Sequence, residues 1–220
     1  AADLWGLDTF ETQERIESEG EKVKVLVIGP AGENRAPMAC IVTDQDHAAG
    51  RTGMGAVMGS KRLKAISVIG TGDPHRHIDD ETAYKRLTLD LTQTVTQTPS
   101  TKTRRDHGTA ASIEEESEVF DNLPTKYFER GEFDGAWEIS GPRMSEDYLT
   151  NVYACGQCPI ACGRVISMES DRFGSLSDRG GPEYETLASF GSLSVNDDFE
   201  SIARANERCN RYGLDTISTG

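Results

Sequence analysis

The sequence predicts an α+β chain, with a β-rich first part at residues 1–72 and a mainly α-helical second part at residues 73–220. Short runs of β-branched and apolar residues before Gly70 are typical of strands. Apolar residues after Asp79 instead recur at the spacing of one helix face. Residues 70–74, Gly-Thr-Gly-Asp-Pro, combine types that end regular structure, so we place the boundary there.

The first part is predicted to begin with a helix and to continue with strands. Asp8 or Thr9 is expected to cap the helix, which runs to about Ser18. A short helix is expected at residues 56–61. The predicted strands are 23–28, 38–43 and 63–69.

The second part is predicted to open with a long helix capped by Asp79 or Asp80. The threonine-rich run 92–103 is a poor helix former, and we expect it to end at Pro99. The apolar face of the first helix consists of Tyr84, Leu87, Leu91 and Val95.

The remaining helices are expected at residues 109–120, from a cap at Ser145 to residue 152, and from Asp197 or Asp198 to a stop at Gly213. Residues 170–181 are predicted as a polar, flexible segment. Residues 123–141 are predicted as a long loop held to the surface by its aromatic side chains, which are Tyr127, Phe128, Phe133 and Trp137.

Charge and hydropathy exclude several classes of partner. Lys and Arg number 23 against 37 Asp and Glu, which gives a net charge of −14. Such a charge repels phosphates, so we expect neither nucleic-acid nor anionic-membrane binding. No apolar run approaches the roughly 20 residues of a membrane span, and no signal peptide is visible. Both ends are expected to lie inside a longer polypeptide, in the cytoplasm.

Three of the five cysteines are clustered as Cys155-x2-Cys158-x3-Cys162. Three thiolates at this spacing suit three irons of a [4Fe–4S] cluster, whose fourth iron then needs a ligand from elsewhere. Zinc is the rival metal, although its sites usually contain a second pair of ligands. Buried or disulfide-bonded cysteines are the third interpretation. Cys209 falls on the apolar stripe of the last helix and is interpreted as a core thiol.

A glycine-rich stretch at residues 49–61 leaves two interpretations open. Gly53 and Gly55 form G-x-G, but neither a dinucleotide-binding motif nor a P-loop is completed. Small residues let backbone N–H groups approach an anion, and Arg51 supplies positive charge. The alternative is a tight turn into a helix that packs closely on the sheet. The four histidines are predicted to be solvent-exposed loop residues without a catalytic role: His47, His75, His77 and His107.

Six segments in order resemble the tungsten-dependent aldehyde:ferredoxin oxidoreductase family, and the matches run from end to end of the chain. The resemblance implies an interior fragment of a longer enzyme, which holds the end of an N-terminal β-rich domain and the start of a helical one. The six are Trp5-Gly6-Leu7-Asp8-Thr9, the run from Ile28 to Asn34, the run from Ala49 to Lys61, the cysteine trio, Gly181-Pro182-Glu183-Tyr184-Glu185-Thr186 and the run from Asn210 to Asp215.

The resemblance implies a chemistry. Family members hold tungsten or molybdenum between two pterins, next to a [4Fe–4S] cluster. An aldehyde is oxidised to a carboxylate, and electrons leave through the cluster to ferredoxin. The resemblance does not identify the aldehyde, and the full-length protein could form a homodimer. The residues alone also allow a non-catalytic iron–sulfur electron carrier or a zinc-stapled structural domain.

Residue by residue, the resemblance makes Cys155, Cys158 and Cys162 cluster ligands. It brings Arg51, Gly53 and Gly55 towards the pterin phosphates. Glu185 matches the active-site glutamate best, with Glu183 two positions away; first-turn helix charge is the alternative for both. The first pterin motif, D-x-x-G-L-(C/D), corresponds to Asn210, Gly213, Leu214 and Asp215, with asparagine in place of the usual aspartate.

The family's active-site histidine, fourth cluster cysteine and second pterin motif have no counterpart in these 220 residues, so we expect the isolated chain to be inactive.

Overall fold

The computed structural model describes residues 2–20, 22–73, 75 and 77–220. In this part of the chain the strands are β1 Val23–Val27, β2 Ile41–Thr43, β3 His47–Ala49, β4 Ala65–Ile69, β5 Leu149–Tyr153, β6 Gly163–Met168 and β7 Leu176–Gly180. The helices are α1 Thr9–Glu17, α2 Pro30–Glu33, α3 Met54–Ser60, α4 Glu81–Gln97, α5 Pro99–His107, α6 Ile113–Glu118, α7 Gly141–Asp147, α8 Tyr184–Phe190, α9 Phe199–Tyr212 and α10 Thr216–Thr219. The α+β class is confirmed.

The first sheet has the strand order β3-β2-β1-β4, and each neighbouring pair is antiparallel. Its inner face buries Val25, Val27 and Val42, against which Ile16 of α1 packs. Helix α1 begins as predicted, because Asp8 and Glu11 form a reciprocal capping box. Strand β3 was not predicted, since its sequence, His-Ala-Ala, lacks β-branched residues.

A second antiparallel sheet, with the order β5-β6-β7, lies in the part of the chain predicted to be mainly helical. The helix predicted from Ser145 to residue 152 is wrong in both bounds. Ser140 caps α7 instead, with Pro142 in its first turn, and β5 begins at Leu149. The segment predicted to be flexible, 170–181, contains β7, which pairs with β6.

Helices and the second sheet share the main core. Tyr148 stacks on Phe199 of α9 with ring centroids 4.6 Å apart, which attaches the last long helix to the sheet region. The stop of α9 at Gly213 is confirmed: this residue adopts left-handed backbone with φ 72°. The largest fully buried side chains of this core are Ile113, Leu123, Ile139, Met144, Ile166, Leu187 and Ile202.

The threonine-rich run was expected to be a poor helix that ends at Pro99. The end is confirmed, because α4 stops at Gln97 and Thr98 is extended, but the run is otherwise helical: Asp80 caps α4, and Pro99 starts α5. The hydroxyls of Thr94 and Thr98 each donate to a carbonyl four residues earlier, at 2.8 and 3.0 Å, so these side chains are satisfied within the helix. No residue of α4 is buried.

The predicted surface loop at 123–141 is held by fewer aromatics than expected. Phe133 is buried, whereas Tyr127 and Phe128 are 84% and 71% exposed. Those two residues adopt left-handed backbone and pack mainly on one another, with ring centroids 6.1 Å apart. Their side chains therefore do not fasten this loop to the core, although Tyr127 N donates to Leu193 O at 3.0 Å.

The end of α9 is built into the first sheet region. Cys40 N donates to Gly213 O at 2.9 Å, and Asp215 N donates to Met38 O at 3.0 Å. Thr9 Oγ1 donates to Asn210 O at 2.7 Å, although the two residues are 201 positions apart. Hydrogen bonds thus join the first 40 residues to the segment around the end of α9.

Replacing Gly59 by alanine is expected to destabilise the chain, because α2 and α3 touch through glycine backbone. An added Cβ at Gly59 would lie 1.8 Å from Gly32 O, so one helix must move. Overpacking of this kind costs about 1–3 kcal/mol. Urea unfolding monitored by circular dichroism measures the change.

Gly70→Ala is the matched control for this substitution, since a Cβ there meets nothing within 4 Å. Equal unfolding midpoints for the two variants would contradict the packing explanation.

No helix in the described ranges is both long and apolar enough to cross a membrane.

Candidate functional site

The three clustered cysteines lie on the loop that joins β5 to β6. Cys158 N donates to Cys155 O at 2.9 Å, which closes a tight turn between the first two. Gln157 and Ala161 adopt left-handed backbone, with φ of 60° and 56°. Each directly precedes a cysteine, and such unfavourable conformations concentrate at functional sites. We call this segment, residues 154–162, the cysteine loop.

The donor set of the cysteine loop fits an iron–sulfur cluster. All three thiols are free, and all are at least partly accessible. Thiolates are the usual ligands of [4Fe–4S] clusters. Within the described residues, no three His, Cys, Asp or Glu side chains are gathered closely enough to hold a metal ion. The loop thus offers the right ligands without holding them in a closed cage.

Arg164 follows the cysteine loop and is almost fully buried, at 2% exposure. Its guanidinium donates to Ala161 O at 2.6 Å and to Cys162 O at 3.1 Å. It also donates to Arg105 O at 2.8 Å and Asp106 O at 3.1 Å, at the end of α5. The sequence analysis missed this residue; a basic side chain two positions after the last cysteine was the available signal.

A polar cluster connects the first sheet to Cys155, and the prediction that His47 is an exposed loop residue is wrong. His47 lies half-buried on β3, with its Nδ1 2.9 Å from Asp46 Oδ1 and its Nε2 3.7 Å from Cys155 Sγ. Tyr153 donates to Asp46 Oδ2 at 2.8 Å. Burial raises the pKa of Asp46, and the Tyr153 hydrogen bond opposes that shift. Sequence alone missed Asp46 and Tyr153, because strand pairing brings them together.

Two of the other histidines also differ from the prediction. His107 ends α5 and is half-buried, and its Nδ1 is a buried atom without a hydrogen-bond partner in the described chain. His75 is half-buried, with its ring centroid 5.3 Å from that of Tyr84. His77 is exposed, as expected.

Glu183 and Glu185 lie at the start of α8 and line two adjacent cavities. The outer cavity, about 490 Å³, also contains Cys162. Thr109 Oγ1 donates to Glu183 Oε2. Burial raises the pKa of Glu183, while this hydrogen bond lowers it. Glu183 remains partly exposed to solvent, because both cavities open beside it.

The inner cavity, about 160 Å³, brings the predicted glutamates together with the predicted pterin motif. Asn210, Leu214 and Asp215 line it opposite Glu183 and Glu185. Asp215 caps α10, with its Oδ2 accepting from Ser218 N at 3.0 Å. Two segments that resemble family motifs therefore meet, although some 25 positions separate them in sequence.

The glycine-rich stretch adjoins this cavity without lining it. An added Cβ at Gly53 would lie 2.5 Å from Pro37 O, and one at Gly55 would lie 2.4 Å from Cys40 O. Gly55 N already donates to Ala39 O at 3.0 Å. Close backbone packing thus accounts for both glycines. Arg51 is exposed, and the adjacent Thr52 has φ 80°, which is unusual for a β-branched residue.

The inner cavity is smaller than the 300–1,000 Å³ typical of small-molecule pockets. Its amide and carboxylate groups nevertheless fit the hydrogen-bonding edge of a pterin. Gly50 lies directly beside it, since a Cβ there would be 3.1 Å from Asp215 Oδ1. The residues present therefore fit one wall of a larger cofactor site.

Alkylation is expected to distinguish the two buried cysteines, Cys40 and Cys209, from the accessible ones on the cysteine loop. Burial raises the pKa of Cys40 to about 12 and of Cys209 to about 11, from an ordinary 9.0. A higher pKa means less thiolate at pH 8, and only thiolate reacts; three units reduce it roughly a thousandfold. Iodoacetamide should therefore label the accessible Cys155 and Cys158 of the metal-free cysteine loop before Cys40 and Cys209, as measured by mass spectrometry. Labelling of Cys209 as fast as Cys158 would contradict its placement in the core, which its burial confirms.

Comparisons with known proteins give a consistent result. The family model for the N-terminal domain of aldehyde ferredoxin oxidoreductase matches residues 1–70, and the model for its domains 2 and 3 matches residues 86–220. The chain is 39% identical to the tungsten-containing aldehyde ferredoxin oxidoreductases of Thermococcus kodakarensis and Pyrococcus furiosus, over 100% of this chain and 36% of each relative. It thus spans about a third of their length.

Two less similar proteins are named for other activities. The WOR-like subunit of an aliphatic sulfonate oxidoreductase from Pyrococcus furiosus is 30% identical over 97% of this chain and 33% of that protein. The active-site complex BamBC of benzoyl coenzyme A reductase, solved with 1,5-dienoyl-CoA, aligns with a TM-score of 0.70 and 26% identity. It covers 98% of this chain and 34% of the solved chain.

Proposed function

Because this chain belongs to the aldehyde ferredoxin oxidoreductase family, we propose that the whole protein oxidises aldehydes to carboxylic acids and delivers the electrons to ferredoxin. The relatives at 39% identity are named for that reaction, whereas the sulfonate and benzoyl-CoA proteins are less similar. The observation that carries the proposal is the inner cavity. It is lined both by the glutamates at the start of α8 and by residues at the end of α9 and just after it that resemble a pterin motif.

In this proposal the cysteine loop holds a [4Fe–4S] cluster, with Cys155, Cys158 and Cys162 as three of its ligands. A tungsten or molybdenum bis-pterin centre, when bound, would supply the two-electron oxidation, and the cluster would carry electrons away singly. The fourth cysteine would come from outside these residues. Five free thiols suit a cytoplasmic protein.

The pterin contacts proposed for this chain come from two segments. Asn210, Leu214 and Asp215 would hydrogen-bond to or pack on the pterin from the inner cavity. Arg51 would attract its phosphates, because it is exposed and has no ion pair in the described chain. Gly55 N–H already donates to Ala39 O and is not available to a phosphate. Gly53 and Gly55 would therefore contribute by letting the backbone that carries Arg51 pack closely on the neighbouring segment.

The proposed proton carriers are the two glutamates. Glu185 lines both cavities, and in the described part of the chain its carboxylate has no hydrogen-bond partner, so it is free to orient water or to accept a proton. Burial raises the pKa of Glu183 although the hydrogen bond from Thr109 opposes that shift, so Glu183 can hold a proton at a higher pH than an ordinary carboxylate. Either residue can serve; a paired substitution distinguishes them.

The proposal is tested on the full-length protein, purified without oxygen from cells supplied with tungstate. We expect tungsten or molybdenum, iron, acid-labile sulfide and aldehyde-dependent reduction of ferredoxin. A colourless protein that carries only zinc would overturn the proposal in favour of a structural domain. Iron and sulfide without tungsten or molybdenum would favour a non-catalytic electron carrier.

A second candidate function comes from the likeness to the benzoyl coenzyme A reductase complex. A protein of that kind would act on an aromatic coenzyme A thioester in place of a free aldehyde. Parallel assays with aldehydes and with a dienoyl-CoA, using the same dye as electron acceptor, separate the two substrates.

A further inference from the structure

Arg164 carries a buried positive charge that no side chain of the described residues neutralises at ion-pair distance. Its exposure is 2%, and every hydrogen bond that it forms in this part of the chain runs to a backbone carbonyl. Buried charges are ordinarily paired with an opposite charge, because desolvation penalises them. A nearby negative charge would therefore stabilise the unpaired guanidinium of Arg164.

The carbonyls satisfy the donors of Arg164 without neutralising its charge. Three belong to residues 161–163, at the end of the cysteine loop and the start of β6, and two belong to the end of α5. A helix C-terminus contributes about half a negative charge, which falls off within a turn. Gly108 directly follows α5 and leaves room for the Arg164 side chain, since a Cβ there would lie 3.1 Å from Arg164 Cγ. The site is thus built around this arginine.

The acidic groups that act on Arg164 are Cys162, Glu183, Asp106 and Tyr153. Glu183 and Asp106 are exposed, so water screens their charges, and Tyr153 keeps its hydroxyl proton, which it donates to Asp46. Cys162 remains, together with the two other thiols of its loop. When these thiols bind iron they are deprotonated, and the resulting cluster is an anion beside the arginine.

We propose that Arg164 is a positioning residue that sets the reduction potential of the cluster on the cysteine loop, by holding a fixed positive charge behind Cys162. Reduction adds negative charge to the cluster, and a nearby buried cation stabilises the reduced form more than the oxidised form. The arginine thereby makes the cluster a better electron acceptor. This inference rests on the proposed function, because it requires the cluster.

The test is a redox titration of the full-length holoprotein, followed by electron paramagnetic resonance. Arg164→Gln is expected to shift the reduction equilibrium at least tenfold towards the oxidised cluster, which is about 59 mV to lower potential for one electron. Arg164→Lys keeps the positive charge, so its potential should lie closer to the wild-type value, with less than half of the shift seen in Arg164→Gln. The matched control is Arg105→Gln: Arg105 also donates to the loop, at Pro159 O, but is exposed to water.

The outcomes separate the inference from the proposed function. An unchanged potential in Arg164→Gln, or an equal shift in Arg105→Gln, overturns the role of the buried charge. Arg164→Gln could also lose its iron. In that case, an Arg164→Lys protein that keeps both its iron and its potential supports the role of the positive charge, whereas loss of iron from both variants overturns that role. Wild-type protein without iron and sulfide overturns the proposed function itself, and the inference with it.

Discussion

Replacing Cys158 by serine in the full-length protein is expected to remove the cluster and to stop electron transfer to the acceptor. Cys158 is the middle cysteine of the trio, and its N–H closes the turn to Cys155 at 2.9 Å. A serine hydroxyl keeps the size of the side chain but is a poor ligand for iron that prefers thiolate. Iron, acid-labile sulfide and the visible absorption that dithionite bleaches should fall to near background.

Cys209→Ala is the control for that experiment, since Cys209 is a buried thiol on α9. Its loss should lower stability while leaving iron content unchanged. Unchanged iron and dye-linked activity in Cys158→Ser would refute the assignment of the cysteine loop. Equal iron loss in both variants would indicate a general folding defect.

Glu185→Gln is expected to reduce turnover about a hundredfold or more while the tungsten and iron stay bound. Positioned acid–base groups typically contribute 10²–10⁴-fold, and glutamine keeps the shape of the side chain without its proton affinity. Steady-state rates with a saturating aldehyde, together with metal analysis of the same sample, measure the effect.

Glu183→Gln is the partner experiment, because Glu183 lines the same two cavities. Glu116→Gln is the control: Glu116 lines only the outer cavity and already accepts from Asn122 at 3.0 Å. If Glu185→Gln has a normal rate and Glu183→Gln is slow, Glu183 is the proton carrier. If both variants have normal rates, neither glutamate has that role. A slow Glu116→Gln would point to a general disturbance of the cavity.

Features set by local sequence could be predicted. The caps at Asp8, Asp80 and Asp198 and the stop at Gly213 lie where expected, because each depends on hydrogen bonds within one turn. The spacing of the cysteines likewise places all three on one short loop. These features can be predicted without knowing the rest of the fold.

Features set by distant partners could not be predicted. The polar cluster of Asp46, His47 and Tyr153 exists only because β3 and the end of β5 lie together, and Tyr153 is 107 positions from Asp46. The polar strand β7 has little strand propensity of its own and is fixed by pairing with β6. The burial of Arg164 depends on α5, which the sequence analysis expected to be a poor helix.

The hydrogen bonds between Met38–Cys40 and Gly213–Asp215 have a kinetic consequence. During synthesis the residues before β2 emerge long before their partners at the end of α9, so these backbone groups lack those partners until α9 has been translated. Contacts across such separations slow folding, because a large loop has to close first. The inner cavity, which is lined by Asp46 and Ala48 as well as by Leu214 and Asp215, would therefore form only after α9 has emerged.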